Sequence, residues 1–160
     1  MRKRGRSAET YKDGGEIVHM QAENKMMIEF DAVSENESFA RAAVAAFIVP
    51  LDPTMEELTE IKTALSEAVT NSVIHGYEGR EGVIKVGCSC IGGTVEISVE
   101  DFGSGIENID KAKEPLYTSK PEQERSGMGF TVMEIFMDKL TVESVKGEGT
   151  KVTMIKQLGR

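Results

Sequence analysis

Apolar and polar positions recur along this chain at two periods, and the change from one to the other marks out its elements. From Met55 onward, Leu58, Ile61, Leu65, Ala68 and Ser72 step round one face at helical spacing. They predict a helix opened by Asp52 as N-cap and Pro53 as first residue, running to Gly76-Tyr77. Glu67, Asn71 and His75 recur every fourth residue on a different face of that helix. Upstream, Lys25–Asp31 alternates with period two, Met26, Ile28 and Phe30 opposing Met27 and Glu29, as a strand does. Ser34-Glu35-Asn36-Glu37 reads as a capping box, followed by an apolar stripe of Phe39, Ala42, Ala43, Ala46 and Phe47 that Pro50 closes. Val83–Cys90 and Thr94–Asp101 alternate on either side of Gly92-Gly93 and predict a hairpin. Residues 102–126 have no period, and an irregular stretch of that length is a functional lid or a disordered segment. Gly127–Asp138 reads as a third helix with Met133, Phe136 and Met137 inward. Lys139–Val145 and Thr150–Gln157 close the chain as a second hairpin. This order predicts an α+β fold, with helices layered on one face of a mostly antiparallel sheet.

Length and charge narrow the class. A chain of 160 residues suits one domain. Residues 1–24 lack a hydrophobic period and are expected to be a disordered leader, or a mis-called start, ahead of a domain at 25–160. Gly14-Gly15-Glu16 can be encoded by a purine-rich run like a bacterial ribosome-binding site, which places the natural start at Met20 or later. The net charge is −8; the first nineteen residues contribute +2, so residues 20–160 carry −10. Such an acidic domain is a poor direct binder of nucleic acid, which demands phosphate neutralisation by Lys and Arg. It suits a basic protein partner, or a nucleotide whose charge is met by a metal and a few local cations. There is no apolar run of membrane-spanning length and no secretory signal pattern. Cys88 and Cys90 share one strand face, too awkward for a disulfide and too few for zinc. They read as small buried hydrophobes, consistent with a reducing cytoplasm.

Four clusters carry candidate chemistry. Glu67 offers a proton acceptor and Asn71 a carbonyl oxygen suited to Mg²⁺, the pair that phosphoryl transfer needs. A solvated polar face on a core helix is the plainer account of the same spacing. Asp101-Phe102-Gly103-Ser104-Gly105 puts an acid at a strand end beside glycines, where the carboxylate can accept a hydrogen bond from the amine of adenine; an ordinary Asp-Gly turn competes. Asp101-Phe102-Gly103 also spells a protein-kinase metal triplet, but the other kinase signatures are missing and the chain is too short. Arg125-Ser126-Gly127-Met128-Gly129 places glycines at a helix start, where free amides and the dipole favour an anion, with Arg125 and Lys120 as added cations. Thr150 follows Gly147 and Gly149, and its hydroxyl is a candidate base contact or simply a strand former.

In this order and spacing, the Glu-x-x-x-Asn helix, the Asp-x-Gly-x-Gly turn, the Gly-x-Gly helix start and the Gly-x-Gly-Thr hairpin resemble the N, G1, G2 and G3 boxes of the GHKL ATPases. Ser34–Arg41, Leu51–Met55, Ser66–Gly76, Pro115–Pro121 and Glu124–Phe130 narrow the resemblance to the anti-sigma factor serine kinases of spore-forming bacteria, over about residues 25–157. The resemblance implies a two-layer α/β sandwich of the GHKL (Bergerat) type with three helices on one face of the sheet. It implies a cytoplasmic homodimer that binds ATP or ADP with Mg²⁺, holds a sigma-F type factor, and phosphorylates a serine on an anti-anti-sigma protein. In that scheme Glu67 is the base, Asn71 the Mg²⁺ ligand and Asp101 the adenine reader. Gly103 and Gly105 shape the pocket, and the helix start from Ser126 through Gly127, Met128 and Gly129 cradles phosphates. Arg125 steadies the γ-phosphate, Thr118 and Lys120 are lid contacts, and Arg41 lies on the partner surface, unless it forms a structural ion pair. His75 is assigned to structure. Phe102 and Tyr117 depart from the family pattern without touching a catalytic position. A kinase of the general stress sigma factor, a histidine-kinase ATPase fragment and a nucleotide-binding module without transfer are the competing readings.

Overall fold

A computed structural model describes residues 9–11, 17–19, 23–115 and 129–159. Two stretches of the leader depart from the expected disorder: β1 (Glu9–Tyr11) pairs antiparallel with β2 (Ile17–His19). Both are built of strand-favouring residues such as Thr10, Tyr11, Ile17 and Val18. The remaining strands are β3 (Asn24–Asp31), β4 (Val83–Ile91), β5 (Thr94–Asp101), β6 (Lys139–Val145) and β7 (Gly149–Gln157). They form one five-stranded sheet in the order β3-β4-β5-β7-β6, antiparallel at every pairing.

Helices α1 (Asn36–Ile48), α2 (Met55–Asn71) and α4 (Gly129–Phe136) pack with α2 in the middle, and the short α3 (Ile109–Ala112) lies in the stretch expected to be irregular. The core between the layers joins Ile84, Val86, Val95, Ile97 and Val99 of the central strands to Ile61, Leu65 and Val69 of α2 and Met133 of α4. Each is 1% exposed or less, so truncating one to alanine costs about 2–5 kcal/mol for the larger side chains. Cys88 and Cys90 point into the same layer as free thiols. The opposite face of the sheet is polar. In one row, Glu29, Lys85, Glu100, Lys151 and Glu143 stand side by side across all five strands, alternating in sign.

Two expected helix starts move. Ser34 makes no side-chain cap; α1 begins at Asn36, whose amide instead donates to the Asp31 carbonyl at 2.9 Å. Asp52 is not the cap of α2. It adopts a left-handed conformation (φ 54°) and ends a single 3-10 turn, Val49–Leu51, that contains Pro50. Thr54 takes the role. Its hydroxyl accepts from Glu57 N at 3.1 Å, and Glu57 Oε2 accepts from Thr54 N at 2.8 Å, a complete capping box. The α1 stripe also turns: Ala40, Val44 and Ile48 are buried, whereas Phe39, Ala42 and Ala46 are exposed. From Phe39 onward every position of this helix except Arg41 is apolar, so that part of the sequence gives little phase. The sheet chooses the face. No helix among the described residues is long and apolar enough to cross a membrane.

Candidate active site

The α2 helix supplies one wall. Glu67 and Asn71, one turn apart, face the start of α4. A Cβ placed on Gly129 would lie 3.2 Å from both amide atoms of Asn71 and 3.3 Å from Glu67 Oε2. That is tighter than ordinary packing, so glycine is what lets the first turn of α4 approach the two polar groups. Just past Asn71 the helix widens into a π turn, Ser72–Gly76, with Tyr77 N donating to Ser72 O at 3.1 Å. Such wide turns concentrate at functional sites because they re-aim the side chains beside them.

The end of β5 supplies the other wall. Asp101 is only 4% exposed and faces the helices, paired across the ladder with Thr150. Burial raises its pKa above the usual carboxylate value. Hydrogen bonds from Gly103 N (3.1 Å), the Ser72 side chain and the Thr150 backbone pull it the other way without prevailing. Gly76 packs against the carboxylate so closely that a Cβ there would sit 2.9 Å from its oxygens. Gly105 turns through φ +70°, where a Cβ would meet Val145 O at 2.2 Å.

Backbone and side-chain groups distant in sequence fix this corner. Ser104 N donates to Gly76 O at 2.8 Å, and Gly147 N donates to Ser104 O at 2.7 Å. Ser144 Oγ accepts from Ile106 N at 2.7 Å, donates to Gly149 O at 3.0 Å, and lies 2.8 Å from Thr150 Oγ1. The Tyr77 hydroxyl donates to Val83 O and accepts from Phe102 N at 2.9 Å. Reading the sequence alone missed these roles. Ser72 passed as a core-stripe residue, Tyr77 as a helix end, and Ser144 as one more strand position.

Of the residues singled out by sequence, Glu67, Asn71 and Gly129 meet at one end of the site. Asp101, Gly103, Gly105 and Thr150 meet at the other, and Ser72, next to Asn71, joins the two through Asp101. Thr118, Lys120, Arg125, Ser126, Gly127 and Met128 lie outside the described residues. Arg41 stands on α1, where Nε pairs with Glu37 Oε1 at 3.2 Å and Nη2 donates to Ser38 Oγ at 3.4 Å. The ion pair expected as the competing account of Arg41 therefore forms. Among the described residues no group of three His, Cys, Asp or Glu side chains is placed to hold a metal by itself. A groove of about 620 Å³ runs along the edge strand β6, lined by Ile106, Asn108, Ile109, Lys113, Leu140 and Val142 among others, and includes none of Glu67, Asn71, Asp101 or Gly129.

The family model described as a histidine kinase-like ATPase domain matches residues 30–156. The anti-sigma F factor of Clostridium kluyveri (strain ATCC 8527) is 63% identical over 134 residues, 84% of this chain and 94% of that protein. That of Clostridium perfringens (strain SM101) is 62% identical over 137 residues, 85% of this chain and 98% of its own length. This chain belongs to the anti-sigma F factor family. Among solved structures, the RsbU and RsbW domains of a Mycobacterium tuberculosis protein superpose with a TM-score of 0.63 at 23% identity, covering 86% of this chain and 33% of that one. At that identity the likeness speaks to the fold alone, and the fold agrees: an antiparallel sheet with its helices on one side.

Proposed function

We propose that this member of the family is an ATP-dependent anti-sigma factor that holds a sigma-F type factor and phosphorylates a serine on its anti-anti-sigma antagonist. The observation that carries the reading is the packing of Gly129 onto Glu67 and Asn71, with the buried carboxylate of Asp101, at the end of β5, set against Gly76 just beyond them. These residues fit Mg·ATP. A helix start stripped of side chain suits phosphate, an amide oxygen suits a hard cation that arrives with the nucleotide, and a buried acceptor suits an exocyclic amine. Bound there, Mg·ATP supplies the transferable phosphoryl group and the cation that neutralises its charge.

Each residue of the chain then has a task. Asp101 accepts a hydrogen bond from the adenine amine, which guanine, carrying a carbonyl at that position, does not offer. Asn71 turns its carbonyl oxygen to the metal. Glu67 takes the proton of the substrate serine hydroxyl as that oxygen attacks, and its half-buried position keeps it close to the reacting centre. The amides at the start of α4 hold the phosphates, joined by Ser126, Gly127 and Met128. Arg125 balances developing charge on the γ-phosphate, with Thr118 and Lys120 as further contacts, on the strength of the family resemblance. Arg41 meets the partner proteins from α1, and the working unit is a homodimer in the cytoplasm.

Incubation with labelled ATP, Mg²⁺ and the anti-anti-sigma protein tests the chemistry. Label is expected on a substrate serine. Glu67→Gln should lower the transfer rate by about 10²–10⁴-fold while nucleotide affinity stays within a few-fold of the parent. Label on a histidine of this chain instead would favour a histidine-kinase activity, and full activity in Glu67→Gln would remove the residue from the role of base.

A further inference from the structure

Beyond the π turn the chain doubles back, and Arg80 returns to the end of the helix it has just left. Its Nε donates to Tyr77 O at 2.9 Å, and its Nη2 reaches Gly76 O at 3.3 Å and Ser104 Oγ at 2.8 Å. The two carbonyls lie at the negative end of the helix, where a cation is favoured. The third partner belongs to the turn that follows Asp101. A planar guanidinium can serve carbonyls and hydroxyl together, whereas a lysine ammonium lacks that fixed fork. We propose that Arg80 and Ser104 form a latch that positions the Asp101 turn for nucleotide binding, a role that rests on the nucleotide reading above.

The route from latch to carboxylate is short. Ser104 is tied by its own N–H to Gly76 O, and Gly76 is the wall against which the Asp101 carboxylate packs. Gly103, the residue before Ser104, donates to Asp101 Oδ1. Movement of the Ser104 segment relative to Gly76 therefore shifts both the amide that orients Asp101 and the surface behind it. The backbone of Ser104 keeps two hydrogen bonds, to Gly76 and from Gly147, when its side chain is removed. Losing the latch thus loosens the corner without dismantling it. Arg80 is a positioning residue: it acts on nucleotide through Asp101.

The test uses the full chain with Arg80→Ala, Ser104→Ala, the double variant, Ser104→Thr and Asp101→Asn, measuring ATP and GTP affinity and the melting temperature without nucleotide. Each alanine variant should weaken ATP by about 3- to 10-fold and narrow the preference for ATP over GTP. In steady state the change should appear in KM for ATP with kcat retained. The double variant should be no weaker than the worse single one, since the two groups make one contact. Ser104→Thr, which keeps the hydroxyl, should restore binding, and the melting temperature should move by less than about 3 °C. Parent-like affinity in both alanine variants, with binding lost in Asp101→Asn, overturns the latch and leaves the nucleotide site standing. Effects that add in the double variant, or a larger fall in melting temperature that tracks the affinity loss, also overturn it. Undiminished ATP binding by Asp101→Asn removes the nucleotide reading, and the latch with it.

Discussion

Two acidic residues of this protein are held in opposite senses. Glu57 accepts hydrogen bonds from Thr54 N and from Gly159 N at 2.8 Å, which lower its pKa. Its contribution to stability is present above its unfolded pKa and lost as pH falls through the folded one. Asp101 behaves in reverse. Its folded pKa is raised, chiefly by burial, so the folded state binds that proton more tightly than the unfolded chain does. At neutral pH the buried charge is a cost to folding, relieved as pH falls through the raised value. Asp101→Asn should therefore melt about 1–4 °C higher than the parent at pH 7 while binding ATP far more weakly. The gap should close on acidification; melting curves at neutral pH and in the acid range read it directly. A variant less stable than its parent at neutral pH would contradict this account of the carboxylate. The four candidate clusters were legible as residue types at set spacings. That Asp101 is sealed by Gly76 and held by Ser72 was not, because those contacts depend on how α2 lies across the sheet.

Among the elements, strands were easier to read than helix starts, for a physical reason. Alternation in Val83–Ile91 and Thr94–Asp101 has only one phase that buries Val86, Cys88, Val95 and Ile97 together, and Gly92-Gly93 leaves one place to turn. The sequence places the cap of α2 at Asp52, two residues too early. Thr54 prevails because Glu57 can complete the box while also receiving Gly159 N from the far end of the chain, a partner that local sequence cannot show. Thr54→Ala should cost about 1 kcal/mol by denaturant titration, within the 0.5–2 kcal/mol range of such caps, with the slope of the transition unchanged. A loss below about 0.3 kcal/mol would mean that the Glu57 contacts alone secure this end. The exposed side of α1 shows the limit from the other direction. A run apolar at every position but Arg41 gives little periodic signal, and Phe39 is fixed by packing edge-on to Phe30 at 6.2 Å, a contact between separate elements.

For the molecule as a whole, the interior position of β4, paired on both sides, makes its two thiols reporters of global opening. Cys88 and Cys90 are 3% and 5% exposed, and burial raises both pKa values, so native protein presents little thiolate. Alkylation should be slow, and its rate should follow the population of open protein. ATP at about 100 times its Kd should slow labelling by about 100-fold, since ligand binds the folded state only. Labelling indifferent to ATP would show that these strands open without disturbing the nucleotide site. The alternating charges on the uncovered face of the sheet bear on a different hazard. Glu29 and Glu143 end that row on the two outermost strands, β3 and β6, the places where one sheet can extend into another. Copies meeting edge to edge with these rows aligned would bring carboxylate against carboxylate at the seam, with no lysine between them. The same side chains that neutralise one another within a protein thus repel at its borders, and runaway growth into fibres meets a barrier that the acidic surface renews at each new edge.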